Sequence, residues 1–284
     1  MPNDKKFAVL IDADNISEKY IKVILDEISN DGTATYKRIY GDWTKPAFAQ
    51  WKKALLEHSI TPMQQYGYTT GKNATDSAMI IDAMDILYSG NVDGFCLVSS
   101  DSDFTRLASR LRESGMDVVG MGEQKTPKAF ISACNKFKYL DILAGQIPLK
   151  HENNQENEKN SAKKSLKVLK NLKGSKQERL DLEKIEKEDN NTEKASEEQM
   201  TSLETIRRAI ATIVEENSDE DEWVFIGDIG NRLTKRYPDF DVRNYGFNKL
   251  TPFIKSLDLF EIRSVANGSS NNKLVYVKEK GEIK

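Results

Sequence analysis

Two kinds of apolar pattern alternate along the first half of the chain. Uninterrupted apolar runs, Phe7–Ile11 (FAVLI) and Phe95–Val98 (FCLV), have the length and composition of strands buried on both faces. Segments with apolar residues every three to four positions predict helices at 17–29 (SEKYIKVILDEIS), 75–88 (TDSAMIIDAMDILY) and 102–114 (SDFTRLASRLRES). Thr75 suits the N-cap of the second, and Gly115 the C-terminal stop of the third. Residues 33–40 (TATYKRIY) alternate as a strand does, and 46–58 (PAFAQWKKALLEH) read as a helix with proline in its first turn. Further strands are expected at 60–66, 116–121 and 137–140, with a short helix at 127–133. Such alternation predicts an α/β fold, a parallel sheet with helices on both faces. Trp43, Trp51 and Phe48 read as packing of a helix on that sheet, and Cys134 as a small buried residue.

Between 147 and 200 the pattern is lost. From 151 to 200 there is no aromatic residue and nearly half the positions are charged, too little apolar area to offset chain entropy. The plain reading is a flexible charged linker; the sharper one makes Lys163, Lys164, Lys167, Lys170 and Lys173 a basic arm whose spacing lines one helical face. Beyond it, Leu203, Ile206, Ile210, Ile213 and Val214 keep helical spacing, and turn-prone NGSSNN precedes KLVYVK. Helices followed by a two-stranded hairpin predict a small winged helix-turn-helix, with Trp223 in its core. The expected domains are therefore 1–146, a linker at 147–200, and 201–284.

Charge and composition narrow the chemistry. The net charge is −3, so nucleic-acid contact would need local clusters of cations or help from metal ions. The two cysteines, Cys96 and Cys134, lie far apart, which argues against a disulfide framework or a cysteine zinc site and fits a reducing compartment. No segment approaches the ~20 apolar residues of a membrane span, and MPNDKKFAVLIDADN has no secretory h-region, so no membrane association and a cytoplasmic location are expected. With His58 and His151 as the only histidines, chemistry based on histidine is not expected.

The acids of the first half are placed suggestively. FAVLI runs into Asp12-Ala13-Asp14-Asn15, FCLV runs into Ser99-Ser100-Asp101-Ser102-Asp103, and Asp76 opens a helix after the loop GKNAT. Ligands of a parallel sheet gather beyond the carboxyl ends of its strands, so Asp12, Asp76, Asp101 and Asp103 are expected to share one bowl. Carboxylates without histidine or thiolate make a hard, oxygen-rich set suited to Mg²⁺ or Mn²⁺. Such ions acidify water and neutralise phosphoryl charge, which points to phosphodiester hydrolysis, with Lys72 in reach of a substrate phosphate. The bland alternative is capping, about 1 kcal/mol each, with Ser102 or Asp103 capping 102–114 and Asn15 or Ser17 capping 17–29. Capping accounts for any one of these residues but not for two strand-end clusters and a helix start together.

VLIDADN, RIYGDW, KNATDSAMIIDAMD, LVSSDSDFTRLASRLRESG and VVGMGEQKTPKAFISAC, in this order over residues 5 to about 142, resemble the NYN domain, and within it the LabA-like branch related to the PIN ribonucleases. The resemblance implies a Rossmann-like sandwich and a Mg²⁺- or Mn²⁺-dependent ribonuclease, with the family's acidic positions at Asp12, Asp76, Asp101 and Asp103. Asn15 matches the polar position after the first acid, implied to orient a water or ligand. EWVFIGDIGNRLTKRYPDFDVRNYGFNKLTPFIKSLDLFEIR is similar to the OST-HTH, or LOTUS, domain, through Gly230, Tyr237-Pro238-Asp239-Phe240, Tyr245-Gly246 and Lys249-Leu250. That resemblance implies RNA binding and protein contacts. Arg232, Lys235, Arg236, Arg243 and Lys249 with Tyr237 and Tyr245 supply cations and rings for it, Arg243, Tyr245 and Lys249 being the named RNA-contact candidates. Relatives of this fold often pair, so a homodimer is also expected.

Three functions follow. The leading one is a metal-dependent endoribonuclease targeted to RNA by its C-terminal domain, the tether raising local concentration. The second is a haloacid-dehalogenase-like phosphatase, with Asp12 as nucleophile and Asp14 as acid–base, although no Thr or Val follows Asp14 to complete that pattern. The third is a non-catalytic RNA-binding post-transcriptional regulator.

Overall fold

The computed structural model describes residues 4–66, 74–146, 200–218, 222–266 and 273–280. Lys72 and the linker lysines at 163–173 lie outside the described residues. Six strands, β1 (Lys6–Asp12), β2 (Thr33–Gly41), β3 (Thr61–Gln64), β4 (Gly94–Val98), β5 (Asp117–Gly122) and β6 (Lys136–Tyr139), form a wholly parallel sheet ordered β3-β2-β1-β4-β5-β6. The helices between them are α1 (Ile21–Ser29), α2 (Trp51–His58), α3 (Ala74–Ser89), α4 (Thr105–Glu113) and α5 (Lys128–Ala133), and α6 (Leu140–Gln146) follows β6.

The uninterrupted apolar run of β1 is explained by two cores. Ala8 and Leu10 point into one, with Met79, Phe95 and Phe104; Phe7, Val9 and Ile11 point into the other, with Ile24, Trp51 and Cys96. A strand of period two that must satisfy a helical layer on each side has no polar position to spare. Gly94 has a steric reason: a Cβ there would meet the Asp117 carbonyl oxygen and the Phe7 ring at 2.5 Å.

Three predicted helices are shorter than their periodicity suggested. Glu18–Tyr20, Pro46–Phe48 and Ser102–Phe104 are single 3-10 turns leading into α1, α2 and α4. Each lies where the chain leaves the carboxyl end of a strand, and a tighter turn at a helix start is common there. Thr75 is not a cap, because α3 is already helical at Ala74. Gly115 does follow the end of α4, at φ +82.

The second domain has α7 (Leu203–Asn217), β7 (Val224–Phe225), α8 (Ile226–Arg236), α9 (Leu250–Ser256), β8 (Phe260–Ala266) and β9 (Lys273–Glu279), with sheet order β7-β9-β8. Ile206, Ile210, Ile229, Leu233, Phe253 and Val277 are among its core residues. Trp223 is not: it is half-buried, with the Arg263 guanidinium 6.0 Å from its ring. Gly230 gives room to the Leu250 side chain, since a Cβ there would sit 2.9 Å from its Cδ2. No described helix is long and apolar enough to cross a membrane.

The second domain covers the open edge of the sheet. β6 is the edge strand, and its Phe137 N–H donates to the Pro238 carbonyl at 2.7 Å. An uncovered edge is a template for foreign strands, so this contact also protects the sheet. Beside it, Arg243 forms a two-armed pair with Glu27 (2.5 and 2.9 Å), and Lys138 bridges Glu27 and Asp31 (3.1 and 2.8 Å). Asp239 accepts from Thr201 at 2.7 and 2.8 Å and from the Tyr139 hydroxyl at 3.3 Å.

Candidate active site

The strand order reverses between β1 and β4, where a doubly wound sheet leaves a crevice at the carboxyl ends of its strands. Asp12 ends β1. Asp101 and Asp103 follow β4, and Asp76 lies in the first turn of α3. One carboxylate oxygen each of Asp76, Asp101 and Asp103 falls within 4.8 Å of the others. Two unit charges at that separation repel by about 1 kcal/mol in bulk water and by about 3–4 kcal/mol at a surface-like effective dielectric. Asp76 shows the result: burial, then the charges of Asp12, Asp101, Asp103 and Asp14, push its pKa up to about 6.

Asp12 stands beside this trio, its charge the first of those acting on Asp76. It is fully buried; its oxygens accept from Asn15 Nδ2 (2.7 Å), Ser99 Oγ (2.7 Å) and the Asp14 N–H (3.0 Å). Burial pushes its pKa up, and those three hydrogen bonds oppose the rise. Ser99 Oγ in turn accepts the Asp101 N–H at 3.1 Å, and the Asp101 carboxylate accepts the Asp103 N–H at 2.9 Å. A chain of polar contacts therefore runs from the end of β1 to both acids beyond β4. Asp101, not Ser102 or Asp103, caps the 3-10 turn, and Ser17 makes no capping hydrogen bond. Capping and site building are thus two uses of one loop. Buried on every side, Asp12 presents no open oxygen for the covalent attack that the phosphatase reading needs.

A second cluster, not singled out in the sequence, holds α3 in place. Asp82 accepts from both Arg38 and the Tyr40 hydroxyl of β2, and burial followed by the Asp82 hydrogen bond pushes the Tyr40 pKa far up. Asp82 is nearly two turns beyond Asp76, so this clamp sets where Asp76 faces. The signal was an acid inside the otherwise apolar stretch MIIDAM, opposite an arginine in a strand. Asn15 reaches the site, but as a partner of Asp12. Lys249 is exposed, without an ion-pair partner among the described residues. Arg243 and Tyr245 are engaged within the protein, Arg243 with Glu27 and Asp241, Tyr245 through its hydroxyl to the Thr201 carbonyl (2.8 Å). Cys96 and Cys134 are buried and free, and burial pushes the Cys96 thiol up to about 12, so neither is poised to react.

Residues 6–141 match the NYN domain family, and residues 201–271 match the OST-HTH/LOTUS domain family. The chain is an NYN-domain protein with a C-terminal OST-HTH/LOTUS domain. NYN domains fall in the PIN-like nuclease superfamily, and OST-HTH/LOTUS domains are RNA-binding modules. No curated protein matches the chain. A crystal structure of a protein of unknown function, VPA0982 from Vibrio parahaemolyticus, is similar at 20% identity over 49% of this chain and 94% of that one, with a TM-score of 0.42.

The donor set of the NYN domain fits a hard divalent cation. Three carboxylates converge, two half-buried and one exposed, with no nitrogen or sulfur ligand in the group. Mg²⁺ and Mn²⁺ are held by few carboxylates and keep several waters, which an exposed rim allows.

Proposed function

We propose that the NYN domain is a Mg²⁺- or Mn²⁺-dependent endoribonuclease of the LabA-like kind, acting in the cytoplasm, and that the OST-HTH/LOTUS domain holds its RNA. The observation that carries this reading is the convergence of Asp76, Asp101 and Asp103 within 4.8 Å, with Asp76 raised by its neighbours. Those three would hold the cation, which when bound supplies an acidified water and offsets charge on the phosphoryl group. Asp12 and Ser99 act as positioning residues: they fix the loop that presents Asp101 and Asp103. The Asp82 clamp does the same for Asp76. An Asp76 carboxyl that titrates near neutrality can also carry a proton at the site while no cation is present.

The test uses purified protein and end-labelled single-stranded RNA. Internal cleavage is expected with Mn²⁺ and none with EDTA, and Asp101→Asn should cleave at least about a hundredfold more slowly. Mn²⁺ should also raise the Tm of the wild type and not that of Asp101→Asn. RNA binding without cleavage under every condition would assign the protein to the non-catalytic regulators, and equal Tm shifts would remove the metal site.

A further inference from the structure

The two domains together enclose a cleft that neither forms alone. It lies between α5 and β6 of the NYN domain and the end of α8 of the OST-HTH/LOTUS domain, as two pockets of about 290 and 380 Å³ that share Ser132, Arg236 and Pro238. Five cations line it: Arg112, Lys128 and Lys136 from one side, Lys235 and Arg236 from the other. Among the described lining residues the single acid is Asp239, which is buried with its oxygens occupied by Thr201 and Tyr139. Lys136 is balanced by Asp31 at 2.6 Å, and Arg112 donates to the carbonyls of Ser132 and Ala133. Lys128, Lys235 and Arg236 are exposed and form no ion pair among the described residues. Such an excess of positive charge, in a chain of net charge −3, is a local feature rather than a consequence of composition.

We propose that this cleft binds the backbone of single-stranded RNA, its phosphates held jointly by Lys128 on one side and by Lys235 and Arg236 on the other. This deepens the nuclease reading by naming where the substrate strand lies. Three observations favour RNA over an acidic protein segment. The Arg236 guanidinium lies 5.7 Å from the Tyr237 ring, a cation–aromatic platform of the sort on which unpaired bases stack. The two pockets are contiguous, so the cations follow a path rather than a point. Lys128 opens α5 immediately after the loop leaving the carboxyl end of β5, and β5 is the neighbour of the strand whose end carries Asp101. The path thus starts on the side of the sheet that bears the acids.

The test measures binding of fluorescent oligo(U) by anisotropy in EDTA, where cleavage does not enter the readout. Lys235→Glu with Arg236→Glu should weaken binding by about tenfold or more, and Lys128→Glu by several-fold. Each lost phosphate contact should reduce the slope of log affinity against log salt by about 0.7. Lys52→Glu with Lys53→Glu, on α2 at the opposite edge of the sheet, is the control for net charge and should stay within about twofold of wild type. Unchanged affinity in the Lys235/Arg236 variant overturns the proposal. Loss on one side of the cleft only overturns the joint site, and displacement of the RNA by an equal charge of poly-glutamate would assign the cleft to an acidic protein. Because the assay needs no catalysis, an inactive enzyme that still loses affinity in these variants would refute the nuclease reading and leave the cleft standing.

Discussion

Asp76→Asn should make the metal-free protein more stable, an unusual direction for a change at an active site. Asparagine is nearly isosteric and carries no charge, so it removes one member of a mutually repelling trio. The pKa of Asp76 rises from 3.8 to about 6, or about two units, which sets a ceiling of about 3 kcal/mol. The group is half-exposed, and solvent screening reduces that to about 1–2 kcal/mol. Against this stands the loss of a negative charge in the first turn of α3, worth about 0.5 kcal/mol. The net expectation is a gain of about 1 kcal/mol, or about 2–4 °C in Tm for a chain of this size. The sign also fixes the pH dependence. A carboxyl whose folded pKa lies above its unfolded one lends stability that is complete below about 3.8 and lost as pH climbs through about 6. Thermal unfolding in EDTA should therefore show the wild type gaining on Asp76→Asn as the pH is lowered across that window. Saturating Mn²⁺ should reverse the order of the two proteins at neutral pH, because only the wild type keeps the complete donor set. An Asp76→Asn protein that melts at or below the wild type in EDTA at neutral pH, with the same pH dependence, would refute the reasoning.

Arg243→Ala removes both arms of the contact to Glu27. Breaking a fully buried pair costs about 3–5 kcal/mol; here Lys138 still faces Glu27 and Arg243 is 29% exposed, so about 2 kcal/mol is expected, seen as faster proteolysis and hydrogen exchange at the domain contact. Burial pushes Glu27 up, but Arg243 and Lys138 outweigh it and hold the carboxyl below its usual range. The contact it supports should accordingly weaken only as the pH falls below about 4.5, which limited proteolysis across pH can check. Ser99→Ala deletes the donor to Asp12 and the acceptor of the Asp101 N–H; a loss of about 1–3 kcal/mol in urea unfolding, with weaker Mn²⁺ binding by calorimetry, is expected.

Much of the NYN domain was legible before any coordinates. The apolar runs of β1 and β4 announce strands buried twice over, and the acids at their ends announce a site, because both signals are local. The 3-10 starts of α1, α2 and α4 were not legible, since periodicity over a dozen residues cannot register a single tighter turn. The internal partners of Arg243 and Tyr245 were not legible for a deeper reason. A basic residue and a ring look the same in sequence whether they face solvent or another domain, and Glu27, the partner of Arg243, lies more than two hundred positions away.

The sequence by itself determined the order of the strands along the chain and most of the helix bodies, and which chemical groups stand at strand ends, because backbone propensity and apolar period act over a few residues. Tertiary structure alone decided that Asp76, Asp101 and Asp103 converge within 4.8 Å while Asp12 is buried beside them. It alone decided that Pro238 seals β6 and that lysines from two domains face one cleft. Those outcomes depend on distances between segments far apart in the chain, which strand order and domain docking set and local pattern does not encode.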